Sequence, residues 1–175
     1  MLIAGLALAS AVNAAAVGWS AAGLTSFAND AYNFYVIGQN GTDSITTITA
    51  LLDAGTSTDA YAFGSGTVNG TGMINTAVTA SGKNLDAGTY QAFFVLFDSA
   101  TPTAGNSKYL VISGQANMTK TVAATAANVV FAAANVGTFA NNTDNWKSYG
   151  AVPEPTSGLL MLLGMAGLAL RRKRA

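Results

Sequence analysis

The chain has 175 residues with no cysteine and no histidine, which excludes a disulfide framework, thiolate metal sites and the commonest general base near neutral pH. Its formal charge is zero, but Arg171, Arg172, Lys173 and Arg174 are crowded at the C-terminus, while Lys83, Lys108, Lys120 and Lys147 face eight acidic residues, a net charge of −4 before that basic cluster. A mildly acidic body argues against nucleic acid and against anionic lipid as its partners.

Leu2 to Ala11 is an apolar stretch, followed by Val12-Asn13-Ala14 and the overlapping Ala14-Ala15-Ala16. Each is the small-x-small pattern that signal peptidase cleaves, so Val12, Ala14 and Ala16 mark the cleavage region and residues 1–14 read as a secretory signal peptide. The first cation is Lys83, so the basic n-region of such a leader is missing and the leader is expected to be truncated at its N-terminus.

Residues 15–150 are the size of one ordinary domain. Asn29-Asp30 leads into Ala31 to Ile37, an aromatic and β-branched run closed by Gly38-Gln39-Asn40-Gly41, which predicts a strand and a turn. In Ser44 to Asp53, Ile45, Ile48, Leu51 and Leu52 recur at helical spacing, Asp43 or Ser44 can cap the start and Gly55 can close the end. Thr58 to Ser81 is Gly, Ser, Thr and Asn with isolated apolar residues, the pattern of short strands and glycine turns. Thr89 to Phe97 is apolar on both faces, as a central strand would be, and Lys108 to Ser113 is its expected antiparallel partner across a loop containing Pro102. Thr119 to Ala124 and Ala127 to Ala132 are further strand candidates, and Trp146 to Tyr149 a last edge strand. The expected fold is mainly β: an antiparallel β-sandwich or jelly-roll-like domain with one short helix, flanked by the signal-peptide helix and a C-terminal hydrophobic helix.

Catalytic sets are absent from the pattern. No Glu precedes Glu154, so the paired carboxylates of a glycosidase would have to come from scattered Asp, and no nucleophile motif or phosphate loop occurs. The expectation is a non-enzyme without cofactor or metal. Asn-x-Ser/Thr sequons at Asn40, Asn69, Asn117 and Asn141 follow from a composition rich in those residues.

The tail is the most specific stretch. Val152-Pro153-Glu154-Pro155 is stiff and extended, because each proline fixes its own φ and pushes the preceding residue out of the helical region. Residues 157–170 carry no charge and are rich in Leu, Met, Ala and Gly, and Arg171 to Arg174 follow at once. Fourteen apolar residues are short for a membrane span of about 17–25, a deficit that snorkelling arginines relieve, and the basic end belongs on the cytoplasmic side. This order of blocks resembles the PEP-CTERM sorting signal of Gram-negative bacteria over 151–175. The resemblance implies an exported protein, held transiently in the inner membrane by its tail and processed by exosortase, a membrane-embedded transpeptidase. It further implies a link to exopolysaccharide and biofilm. Exosortase, signal peptidase with the secretion machinery, the inner membrane and exopolysaccharide are thus the expected partners.

Three readings follow: a surface or matrix protein sorted by its tail; a simple C-terminally anchored membrane protein; and a carbohydrate-binding module. The last needs exposed stacking faces among Trp19, Tyr32, Tyr35, Tyr61, Tyr90 and Trp146.

Overall fold

Alternation along two strands sets the architecture. The computed structural model describes residues 14–38, 44–78 and 82–150. Strands β1 (Ala15–Ala21), β2 (Ala31–Val36), β3 (Gly64–Thr67), β4 (Ile74–Thr76) and β5 (Asn84–Leu85) are followed by β6 (Gly88–Phe97), β7 (Lys108–Ile112), β8 (Thr119–Val122), β9 (Asn128–Ala133) and β10 (Lys147–Ser148). Helix α1 is Ile45–Asp53, and α2 is the single turn Gly137–Ala140.

On β6, Ala92, Phe94 and Leu96 enter one apolar cluster, and Phe93, Val95 and Phe97 enter another. Because successive strand side chains point to opposite faces, β6 is buried on both sides. Its sheet runs β10-β7-β6-β2-β3, antiparallel throughout, with Phe94 opposite Phe34 on β2 and Ile112 on β7. The first half of β6 pairs with β8 instead, Gln91 facing Thr119.

The second sheet is built on β1. One edge of β1 carries β4 and β5, and the other carries β9. The β1 to β9 pairing is parallel, Ala16 to Ala21 running beside Asn128 to Ala133. This corrects the expectation of a purely antiparallel domain: a strand returning from more than a hundred residues away is free to enter in either direction, whereas hairpin neighbours are not. The two sheets enclose the larger core, in which Trp19 and Phe131 of one meet Phe34 and Phe94 of the other.

Helix α1 covers the outer face of the β6 sheet. Ser44 caps it, its Oγ accepting from the Thr47 N–H at 3.2 Å, and Gly55 with φ +71° closes it, as the spacing predicts. Ile48 and Leu52 are wholly buried against Tyr35, Phe93, Val95 and Tyr109. The described residues are therefore mainly β, with two sheets and helix α1 covering the outer face of one of them. The signal-peptide and C-terminal helices lie outside the described residues.

The N-terminal boundary bears on the cleavage expectation. Ala14 is exposed and precedes β1, but Ala15 is fully buried and pairs with Leu85, while Ala16 pairs with Asn84 and donates its N–H to the Ala127 carbonyl at 3.1 Å. Cutting after Ala16 removes two residues from a central strand, at about 1 kcal/mol for each ladder hydrogen bond lost. The mature N-terminus is expected at Ala15, and mass spectrometry of exported protein finding Val17 first would refute it.

Candidate functional site

Two features stand out near the C-terminal end of the domain: a polar cleft and the junction to the tail. The cleft begins on β2. Asn33 lies on the same face of the strand as Tyr35, beside the Asp59 turn that follows α1. Its Nδ2 donates to the Asp59 Oδ1 at 2.9 Å and to the Tyr35 hydroxyl at 3.1 Å. The Tyr35 hydroxyl lies 2.6 Å from Thr58 Oγ1, and the Ser57 hydroxyl donates to Asp59 Oδ2 at 3.0 Å. Asn33 and Thr58 are 5% and 1% exposed, so these bonds satisfy polar groups that burial would otherwise penalise.

Burial, with the nearby Asp59 charge adding to it, pushes the Tyr35 phenol up to about 12, while its bonds to Thr58 and Asn33 pull the other way. Tyr149 is raised by burial and then by Asp59. Tyr109, which donates to Asp53 at 2.6 Å, is also raised, first by burial and then by that bond and charge. All three phenols are protonated at neutral pH, so Tyr35 is a hydrogen-bonding group and not a base there. The cleft itself holds about 410 Å³ between Asn33, Ser57, Asp59, Thr67, Phe97 and Tyr149. Its polar lining includes the Asp59 carboxylate and the Ser57 and Thr67 side chains. Among the described residues no group of three His, Cys, Asp or Glu side chains could hold a metal ion.

The junction is tightly built. Strand β10 pairs with β7, Ser148 opposite Lys108. Tyr149 then donates its N–H to Ser107 at 2.9 Å, accepts from the Gly105 N–H at 2.7 Å, and sets its ring edge-on to Phe97 at 5.6 Å. Gly150 has φ +82° and donates to the Leu52 carbonyl at 2.8 Å, closing the last turn of α1. A Cβ on Gly150 would stand 3.0 Å from the Ala104 methyl and 3.2 Å from the Gly55 Cα, so only glycine fits where the three segments cross.

Gly150 is followed at once by the tail, and residues 151–174 match the family model described as the PEP-CTERM protein-sorting motif. The chain carries a PEP-CTERM sorting motif. No curated protein and no solved structure matches the chain. The PEP-CTERM motif implies export with transient membrane anchoring through the tail, and an exosortase as the processing partner. Its Val152, Pro153, Glu154 and Pro155, its basic cluster from Arg171 to Arg174 and its apolar stretch lie outside the described residues. Among the described residues no helix is long and apolar enough to cross a membrane.

Of the residues expected to mark a signal cleavage region, Val12 lies outside the described set, Ala14 is exposed before β1 and Ala16 is inside the strand. The stacking faces are corrected. Trp19 is 3%, Tyr32 4% and Tyr35 0% exposed. Trp19 stacks on Phe34 at 4.8 Å, and its Nε1 donates to the Tyr32 hydroxyl at 3.2 Å, so these rings are core with their polar ends paired. Tyr61, Tyr90 and Trp146 are half-buried, Trp146 against Phe27 with its Nε1 donating to the Ala140 carbonyl at 2.7 Å. Sequence reading passed over the Asn33 and Asp59 cleft and the Gly150 junction. A polar Asn inside the otherwise apolar Tyr32 to Val36 run was the one available signal for the first; no sequence signal marks the second.

Proposed function

We propose that this is an exported, non-catalytic surface or extracellular-matrix protein, delivered through its PEP-CTERM tail and linked to the exopolysaccharide of the cell that makes it. The observation that carries the reading is the match at 151–174, placed directly behind a β domain whose last described residue is locked into the fold. An address joined to a finished domain suits a protein whose work begins after release. The protonated phenols and hydrogen-bonded carboxylate of the cleft suit binding more than proton transfer. The Gram-negative inner membrane is the expected site of tail insertion, with the four cations cytoplasmic and the domain outside.

Deleting Pro153 to Pro155 tests the address. The full-length precursor is expected to accumulate in the inner membrane, with the processed form absent from the surface and medium on immunoblots of fractionated cells. Release at the wild-type rate would refute the assigned role and leave a plain anchor as the explanation of the tail.

A further inference from the structure

We propose that the rim of the domain around Gly150, formed by residues 54–58 and 99–107, is the surface that docks on exosortase while the tail is processed. The proposal rests on the tail being an exosortase substrate and adds where on the folded domain the enzyme must sit.

The argument is one of reach. Gly150 is held by the Leu52 carbonyl and wedged between Gly55 and Ala104, and Tyr149 by Ser107, Gly105 and Phe97. Only Ala151 and Val152 separate that anchor from Pro153. Three Cα steps span at most roughly 10 Å of chain, whatever their conformation. A membrane-embedded enzyme that engages Pro-Glu-Pro therefore meets the folded domain at the same time. Two residues are far fewer than the Gly/Ser-rich or proline-rich spacers that give independent modules their freedom.

The chemistry of the rim fits such an encounter. The segments 54–58 and 99–107 contain no charged residue, although residues 1–150 carry −3, and the carboxylates that flank them, Asp53, Asp59 and Asp98, accept from the Tyr109 hydroxyl, the Asn33 Nδ2 and the Lys108 N–H. Ala54, Thr56, Thr103, Ala104 and Asn106 are exposed, small and neutral. A surface of this kind approaches a protein or lipid headgroup boundary without burying an unpaired charge, which would oppose close contact strongly. The partner it fits is the extracytoplasmic mouth of the enzyme that holds the tail.

The test compares processing rates of the full-length chain, by pulse-chase in cells that make the exosortase. Thr56→Glu with Thr103→Glu places two charges on the rim, at exposed side chains outside both apolar clusters. Conversion of precursor is expected to slow about tenfold. Inserting eight Gly and Ser residues between Gly150 and Ala151 separates rim from motif, and the same two glutamates are then expected to have no effect. Deleting Ala151, which leaves every described residue in place, shortens the tether by about 3.5 Å and is expected to slow processing as well. Wild-type rates for the double glutamate chain or for the Ala151 deletion would overturn the proposal. So would equal slowing with the insertion present, or a tenfold acceleration by the insertion alone, which would make the domain an obstacle. Normal processing without Pro153 to Pro155 would instead sink the sorting reading itself, so the two failures are distinguishable.

Discussion

Phe34→Ala is expected to destabilise the domain by about 3–5 kcal/mol, a large part of the roughly 5–15 kcal/mol that a domain of this size possesses. Phe34 is wholly buried at the point where the two sheets meet. Its ring stacks on Trp19 at 4.8 Å and tilts against Phe94 at 5.0 Å and Phe131 at 5.8 Å, with Phe63 edge-on at 6.2 Å. Truncation removes the ring around which four others pack, three of them on other strands, and the surrounding strands are held by their ladders and cannot close the gap. Urea unfolding followed by the fluorescence of Trp19, whose ring lies on Phe34, reads the loss directly. Phe139→Ala, at a residue 41% exposed, is the comparison and is expected within about 0.5 kcal/mol of wild type. A Phe34→Ala loss as small as that of Phe139→Ala would remove the ring cluster from its assigned role.

Stability is expected to fall steeply between pH 10 and 12. The Tyr35 phenol titrates near 10 in the unfolded chain and at about 12 in the fold, so the folded state keeps the proton longer. Its contribution is fully present below pH 10 and is lost as pH rises through 12, amounting to about 2 kcal/mol by that point. Tyr109 and Tyr149 are shifted in the same direction and steepen the slope. The chain has no histidine, so no imidazole titration adds a slope between pH 6 and 8. Thermal melts from pH 7 to 12 measure the profile. Tyr35→Phe is expected to cost about 1–3 kcal/mol at pH 7, because Thr58 and Asn33 lose a buried partner, and to flatten the alkaline fall. An alkaline slope unchanged in Tyr35→Phe would show that this phenol does not carry it.

What could be read from the residues depended on how strongly burial constrained them. Strand β6 was visible because both of its faces are covered, which leaves an unbroken apolar run; β2 was visible from its aromatic and β-branched content, and α1 from the spacing of Ile45, Ile48 and Leu52 together with Ser44. Strand β1 was not visible. Ala15 to Ala21 is Ala, Gly and Ser around Val17 and Trp19, a weak strand sequence directly behind another apolar stretch, and its place at the middle of a sheet comes from partners supplied much later in the chain. The parallel β1 to β9 pairing was illegible for the same reason, since register between distant strands is set by the whole core. The tail was the opposite case: stiff, apolar and basic blocks in a fixed order need no tertiary context. The cleft of Asn33, Ser57 and Asp59 needs all of it, because three short polar residues acquire a shared role only when the turn after α1 folds over β2.

Strand β1 takes its neighbours from residues 74–76, 84–85 and 128–133. A chain delivered N-terminus first, from a ribosome or through a narrow membrane channel, makes this strand before the other described strands and completes its pairing only when β9 follows. The sheet cannot close until Ala133 has emerged, and pairing over so long a separation is slow because loop closure must precede any gain from contact. The topology thus delays closure of the β1 sheet until most of the described residues have emerged, which keeps that strand threadable and suits a translocated protein.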